Sequence, residues 1–245
     1  MSIYLKYVRN TCVERLSGAQ DLSSEIFYWE RTFHESKITT NLPPKFTPSN
    51  HCKECFKFAI SELQKSFDDP LNCIEIGSGP VSQFYSEEIL NIPKIRISAL
   101  DPLADTYNEL HKKYGSEYNI RCIRGFAENM NKLFPPNSFH LVFSQNAIDH
   151  SKSPIDFFDS ICRILKPKGF IVLNGFLKVG TISHWMGLHQ WDIEIDGNDL
   201  VVSNRDKSVD RYNFTSKHTL LAARLLVKQE GNEGMYTAIY QKVQE

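Results

Sequence analysis

The chain lacks any run approaching ~20 consecutive apolar residues, so no helix is expected to span a bilayer. Residues 1–18 intersperse Lys6, Arg9, Glu14 and Arg15 among apolar positions and contain no signal-peptide h-region. The expectation is a cytoplasmic protein with no membrane partner. An excess of charge of either sign is missing too. With 28 basic and 29 acidic residues the net charge is −1. That gives no broad grip on a phosphate backbone, and nucleic acid is not the expected partner. Internal repeats and low-complexity tracts are also lacking. The 245 residues, 41% of them apolar, suffice for one large α/β domain or a domain with an added segment.

A cysteine framework is equally absent. Cys12, Cys52, Cys55, Cys73, Cys122 and Cys162 follow no disulfide spacing. Cys73, Cys122 and Cys162 sit in apolar runs, where a thiol acts as a small hydrophobe. His51, Cys52 and Cys55 invite a metal reading. However, Cys52, Cys55, Phe56, Ala59, Ile60, Leu63 and Phe67 form one helical stripe, and no second cysteine pair completes a zinc site. Core packing is the expectation, with no metal.

What is present is an alternation of strands and helices. Residues 1–50 read as an appendage: Leu22, Ile26, Trp29 and Phe33 recur at helical spacing, and Asn41–Pro48 breaks periodicity as a linker. From 51 to 245 the pattern is that of a parallel sheet covered on both faces. Strands are expected at 72–76, 94–100, 119–123, 139–144 and 169–174, and helices at 52–67, 81–90, 103–114, 127–133 and 154–165. Ser153, Pro154 and Asp156 provide a capped start for the 154–165 helix, and Lys166–Gly169 stops it. Further on, 177–198 reads as irregular, 199–204 as a strand, 215–226 as a helix and 235–242 as a closing strand.

The run Cys73-Ile-Glu-Ile-Gly-Ser-Gly-Pro80 reads as a buried strand breaking into a glycine turn. Gly77 and Gly79 allow a tight turn and close backbone approach to a ligand. Asp101, 24 residues after Gly77, ends the next strand, where a carboxylate can accept from both ribose hydroxyls. The dinucleotide fingerprint needs a third glycine at position 82, and Ser82 occupies it. Pro80 supplies no N–H to a pyrophosphate. A ligand with a ribose but no phosphates fits better, and S-adenosylmethionine is one. The bland reading of Asp101 is a helix N-cap before Leu103. An unpaired Glu75 carboxylate in so apolar a run would cost several kcal/mol, on the order of the price of burying a lone ion.

These motifs resemble those of class I S-adenosylmethionine-dependent methyltransferases. Glu75–Gly79 resembles the first motif and Leu100-Asp101-Pro102 the acidic second. Gly125-Phe-Ala-Glu128 resembles the adenine-contacting segment, Phe139–Ala147 the fourth motif and Leu165–Gly169 the turn before the fifth strand. Val81 replaces the third glycine of the first motif, and His140 and Lys168 depart from the usual Asp and Gly. The resemblance implies a doubly wound, Rossmann-like α/β fold: a seven-stranded sheet with an antiparallel last strand, here preceded by a helical extension. It implies S-adenosyl-L-methionine as cofactor. Glu75, Gly77, Ser78 and Gly79 would hold the methionine end, and Asp101 with Pro102 the ribose. Ala127 and Glu128 would flank the adenine, and Ser144, Gln145 and Asn146 would line the floor near the sulfonium. Glu128 reads equally as a helix-start carboxylate.

For the acceptor, His150 is the first candidate base, with Asp149 to orient it and His189 second. Each also reads as an ordinary loop residue. Trp185 and Trp191 offer flat faces for a sugar or form a plug over the sheet, and the helix of Tyr28, Trp29 and Phe33 either closes over the cofactor or packs as core. The expected reaction is methyl transfer to a small or sugar-like acceptor at oxygen. A nicotinamide-dependent oxidoreductase, a cofactor-binding protein without transfer activity, and a protein or RNA methyltransferase are the rival readings. No pattern in the sequence sets the oligomeric state.

Overall fold

The computed structural model describes residues 22–36, 50–114, 120, 122–197, 199–206, 212–213, 221–226 and 234–243. The expected linker at 41–48 lies outside them. Helix α1 (Ser23–Ser36) precedes α2 (Asn50–Ser66). The alternating part runs β1 (Leu71–Ile76), α3 (Glu87–Leu90), β2 (Ile95–Asp101), α4 (Ala104–Tyr114), β3 (Cys122–Arg124), α5 (Met130–Leu133), β4 (Phe139–Gln145), α6 (Pro154–Ile164) and β5 (Leu165–Phe176). Then follow α7 (Val179–Ile182), β6 (Trp191–Asp196), β7 (Asp199–Asn204), β8 (Tyr212–Asn213), β9 (Leu221–Leu226) and β10 (Met235–Lys242).

Seven strands pair in the order β3-β2-β1-β4-β5-β10-β9. The strands from β3 to β5 are parallel to their neighbours, and β10 runs antiparallel between β5 and β9. The strand order reverses between β1 and β4, which places a ligand crevice beyond their carboxyl ends. Side-chain alternation sorts the core into two faces. Ile74, Ile76, Val142, Ile171 and Leu173 pack with Phe157, Phe158, Ile161 and Ile164 of α6. Cys73, Leu141, Phe143, Phe170 and Val172 pack with Cys55, Phe56, Ala59, Ile60 and Leu63 of α2. Cys55 is thus a core residue. Helix α6 starts as its sequence dictates: the Asp156 N–H donates to Ser153 Oγ at 3.2 Å and Pro154 takes a first-turn position. Among the described residues no helix is long and apolar enough to cross a membrane.

Three expectations are corrected. The helix expected at 81–90 is only Glu87–Leu90. The Glu75 carboxylate accepts from Ser82 Oγ and from the Gln83 N–H, and so holds residues 82–83 against the strand end as a loop. The helix expected at 215–226 is, where described, strand β9, paired with β10 from Thr237↔Leu226 to Lys242↔Leu221. Helix-forming Leu and Ala there yield to the unpaired edge of β10, whose backbone groups need partners. The segment expected to be irregular holds α7 and β6, which joins β7 and β8 in a second, three-stranded sheet. Trp191, Ile193 and Ile195 alternate with Asp192, Glu194 and Asp196, a two-residue period that was legible.

Candidate active site

Gly77 and Gly79 both adopt left-handed backbone, at φ +67° and +61°. A Cβ on Gly77 would lie 2.3 Å from the Cβ of Ala147, so glycine alone lets the β1 turn meet the turn after β4. The turn is then anchored from three sides. The Gly77 N–H donates to Leu100 O at 2.8 Å, the Gly79 N–H to Asp101 Oδ2 at 3.0 Å, and the His111 ring meets Pro80 O at 2.5 Å. His111, on α4, gave no signal in the sequence.

Asp101 takes the helix-capping role and also lines the cavity. Its Oδ1 caps α4 by accepting from the Leu103 N–H at 2.9 Å, and its Oδ2 fixes the glycine turn. A carboxylate has about four acceptor sites, so two remain for ribose hydroxyls. Burial pushes its carboxyl up to about 6, against the pull of the two amides. Burial likewise pushes Glu75 up to about 8, against its bonds to Ser82 and the Gln83 amide. Glu128 lines the cavity, but its Oε1 accepts from the Lys152 N–H at 2.7 Å, tying the segment after β3 to the turn before α6.

One continuous cavity of 660 Å³ brings together nearly all the residues that the sequence singled out. Glu75 to Gly79, Asp101, Pro102, Ala127, Glu128, Gln145, Asn146, Asp149, His150 and His189 all line it. Ser144 does not; it is buried in the sheet, where its hydroxyl donates to Ile76 O at 2.9 Å. Trp185 and Trp191 are outside the lining as well. Trp191 is held by its ring N–H on Ser151 O at 2.8 Å, and Trp185 packs where any Cβ on Gly180 would clash. Both serve as packing. Sequence reasoning left out Glu25 and Gln83, which line the cavity beside Tyr28 and Trp29. The spacing of Glu25 and Trp29, one helical turn apart, was a signal: the Trp29 ring N–H donates to Glu25 Oε1 at 2.8 Å.

At the β4 end, Asp149, His150 and His189 converge. His189 Nδ1 lies 2.7 Å from Asp149 Oδ2, and His150 Nε2 lies 3.3 Å from the same oxygen and 3.1 Å from His189 Nδ1. Two backbone-directed bonds fasten the His189 loop to this turn: the Gln190 N–H to Asp149 O at 3.1 Å, and the Trp191 ring to Ser151. Burial raises the Asp149 carboxyl, but the two imidazoles outweigh it and hold the group below its usual range. Burial holds His150 below its ordinary value.

The lining has a marked charge. Besides Glu75, which burial keeps protonated near neutral pH, it includes Glu25, Asp101, Glu128 and Asp149, and among the described residues no Lys or Arg. Such a site favours a cation and repels a pyrophosphate. Among the described residues three buried side-chain oxygens have no hydrogen-bond partner, and two of them, Gln83 Oε1 and Gln145 Oε1, belong to residues of this cavity. Each such orphan costs about 1–3 kcal/mol until a donor reaches it. A nucleoside bearing a sulfonium, an ammonium and ribose hydroxyls supplies both the charge and the donors.

Residues 74–173 match the family model described as a methyltransferase domain. No curated protein matches the chain in sequence. Among solved structures, the chain is similar to one from Methanococcus maripaludis assigned as an S-adenosyl-L-methionine-dependent methyltransferase (16% identity, TM-score 0.55, covering 95% of this chain and 98% of that one). It is also similar to the 1,6-didemethyltoxoflavin-N1-methyltransferase of Burkholderia thailandensis, solved with its ligand and S-adenosylhomocysteine (12%, 0.51, 95% and 94%). A third is an S-adenosylmethionine-dependent methyltransferase of Clostridium acetobutylicum (12%, 0.50, 91% and 100%). At these identities the likeness establishes the fold.

Proposed function

We propose that this chain, whose residues 74–173 match a family model described as a methyltransferase domain, is a class I S-adenosylmethionine-dependent methyltransferase that methylates a hydroxyl of a small, sugar-like acceptor. The bound cofactor supplies an electrophilic methyl group on a sulfonium, so the protein's part is to place and deprotonate the acceptor. In this reading residues 51–245 are the catalytic domain, and residues 1–50 are an extension whose helix α1 covers the cofactor. Asp101 grips the ribose beside the glycine turn, Ala127 and Glu128 flank the adenine, and Gln83 and Gln145 accept from its donor groups. The convergent Asp149, His150 and His189 carry the proposal. Asp149 and His150 stand after β4, where the loop carrying His189 meets them, two strands from Asp101, a separation of about 10 Å. An acceptor hydroxyl is protonated near neutral pH, so a positioned base accelerates its attack. His150 accepts that proton at Nε2, while Asp149 Oδ2, touching both rings, stabilises the imidazolium.

The test is transfer of labelled methyl groups to a panel of hydroxylated, amine and thiol metabolites, with the product located by mass spectrometry and NMR. O-methylated product is expected. Exclusive N- or C-methylation would overturn the oxygen assignment, and no transfer to any acceptor would favour a binding protein. With the acceptor in hand, His150→Ala is expected to lower kcat about 100-fold, the usual scale of general-base catalysis, with cofactor affinity unchanged by calorimetry. Unimpaired turnover would transfer the base role to His189.

A further inference from the structure

The geometry points to a divalent transition-metal site formed by Asp149 Oδ2, His150 Nε2 and His189 Nδ1, with its open side toward the cavity and an acceptor oxygen as a further ligand. It rests on the methyltransferase reading only for that last ligand. Three atoms able to donate a lone pair lie 2.7, 3.1 and 3.3 Å from one another. An ion about 2.0–2.1 Å from each of three ligands sets those ligands about 2.9–3.4 Å apart, so the 3.1 and 3.3 Å edges already fit and the 2.7 Å edge between His189 and Asp149 opens by about 0.2 Å. The side chains are 6% (Asp149), 23% (His150) and 11% (His189) exposed, which leaves one face of the triangle open.

The arrangement is poorly explained by proton-mediated bonding alone. Both ring nitrogens approach one carboxylate oxygen and each other, and each nitrogen carries at most one hydrogen, so at least one of the three short contacts lacks a proton between its atoms whatever the charge of the rings. A cation replaces all three. The surrounding excess of carboxylates, with no Lys or Arg among the described residues of the lining, offers such an ion a favourable field. Two imidazoles and one carboxylate select zinc, cobalt, nickel or ferrous iron over magnesium or calcium. These are not the residues on which the sequence raised a metal: Cys55 is core, and the site meets only when the 184–191 loop folds back on the β4 turn. With an ion bound, His150 and His189 serve as ligands, and the coordinated hydroxyl loses its proton to solvent because the metal lowers its pKa.

Protein stripped with EDTA and dialysed is titrated with Co2+, followed by visible d–d absorption and calorimetry, with Zn2+ as competitor. One Co2+ per chain is expected. His189→Ala and Asp149→Asn each weaken it at least about 100-fold, beyond the loss that an outer partner causes. His184→Ala, an exposed histidine outside the cavity, leaves it unchanged, and retained cofactor affinity certifies the folding of each variant. Absence of Co2+ binding, or its persistence in both His189→Ala and Asp149→Asn, overturns the site. Transfer that survives EDTA yet fails in His150→Ala refutes the metal and leaves the general base standing. Stoichiometric Co2+ binding without transfer to any acceptor upholds the site and refutes the transferase reading.

Discussion

The Asp101 carboxylate already accepts from the amides of Gly79 and Leu103 within the folded chain. It is a structural device within the fold, and the ribose-binding role proposed for it has a pH response of its own. Burial raises the group to about 6. A ribose hydroxyl bonds the ionised form, so cofactor affinity is expected to fall as pH drops through about 6, a trend calorimetry would show. Asp101→Ala is expected to weaken binding at least about tenfold, as the loss of a charged acceptor does, and Asp101→Asn to remove the pH trend. Unchanged affinity in both would exclude the ribose role. His140 shows the opposite case. Its departure from the family pattern lies at the start of β4, away from the cavity. There Nδ1 accepts from the Asn72 N–H at 2.9 Å, and burial, assisted by Lys166, keeps the ring neutral to about 4.

At the scale of elements, α1 is the most separable part. Phe33, fully buried, packs with Leu103, Tyr107 and Leu110 in a small cluster distinct from the two that sandwich the sheet. A Cβ added to Gly79 would lie 3.6 Å from the Trp29 ring, so the indole stands over the glycine turn. The helix is thus a cover docked on α4. Phe33→Ala removes about 3–5 kcal/mol of packing, most of what such a cluster supplies. The expected result is fast hydrogen exchange in α1 and at least tenfold weaker cofactor binding, roughly the loss of one wall, while the core amides stay protected. Coincident loss of protection in α1 and β4 would show that the helix belongs to the core. The aromatic stripe 29–33 was readable as helix from spacing. That one residue of it closes a cavity while another is core depends on where α4 lies.

For the whole molecule, the buried acids predict an unusual dependence of stability on pH. Glu75 has an ordinary value of 4.5 and stands at about 8 when folded, and Asp101 moves from 3.8 to about 6. The folded chain binds more protons than the unfolded one between those values. Each contribution is therefore present below the unfolded pKa and is lost as pH rises through the folded one. Below about pH 6.5 the depressed His140 and His150 act in the opposite sense, so the decline emerges above it: the cofactor-free protein is expected to lose thermal stability from about pH 6.5 to about 8, and Glu75→Gln to abolish that decline. A melting temperature that rises over this range would contradict the buried-acid account.

The glycine turn, the acid that ends the next strand, the capped helix at 154–165 and the continuous apolar strands were legible because each rests on local chemistry: backbone freedom, a missing donor, a capping oxygen, a two-sided burial pattern. The class of ligand followed from them. Strand β9 was not legible, since its Leu and Ala favour a helix and only the edge of β10 overrules them. Nor was the meeting of Asp149 and His150 with His189, some forty residues away, although each was named. Sequence fixes what a side chain can do; which three share a point in space depends on loop closure and packing, and here the tertiary structure alone decided it.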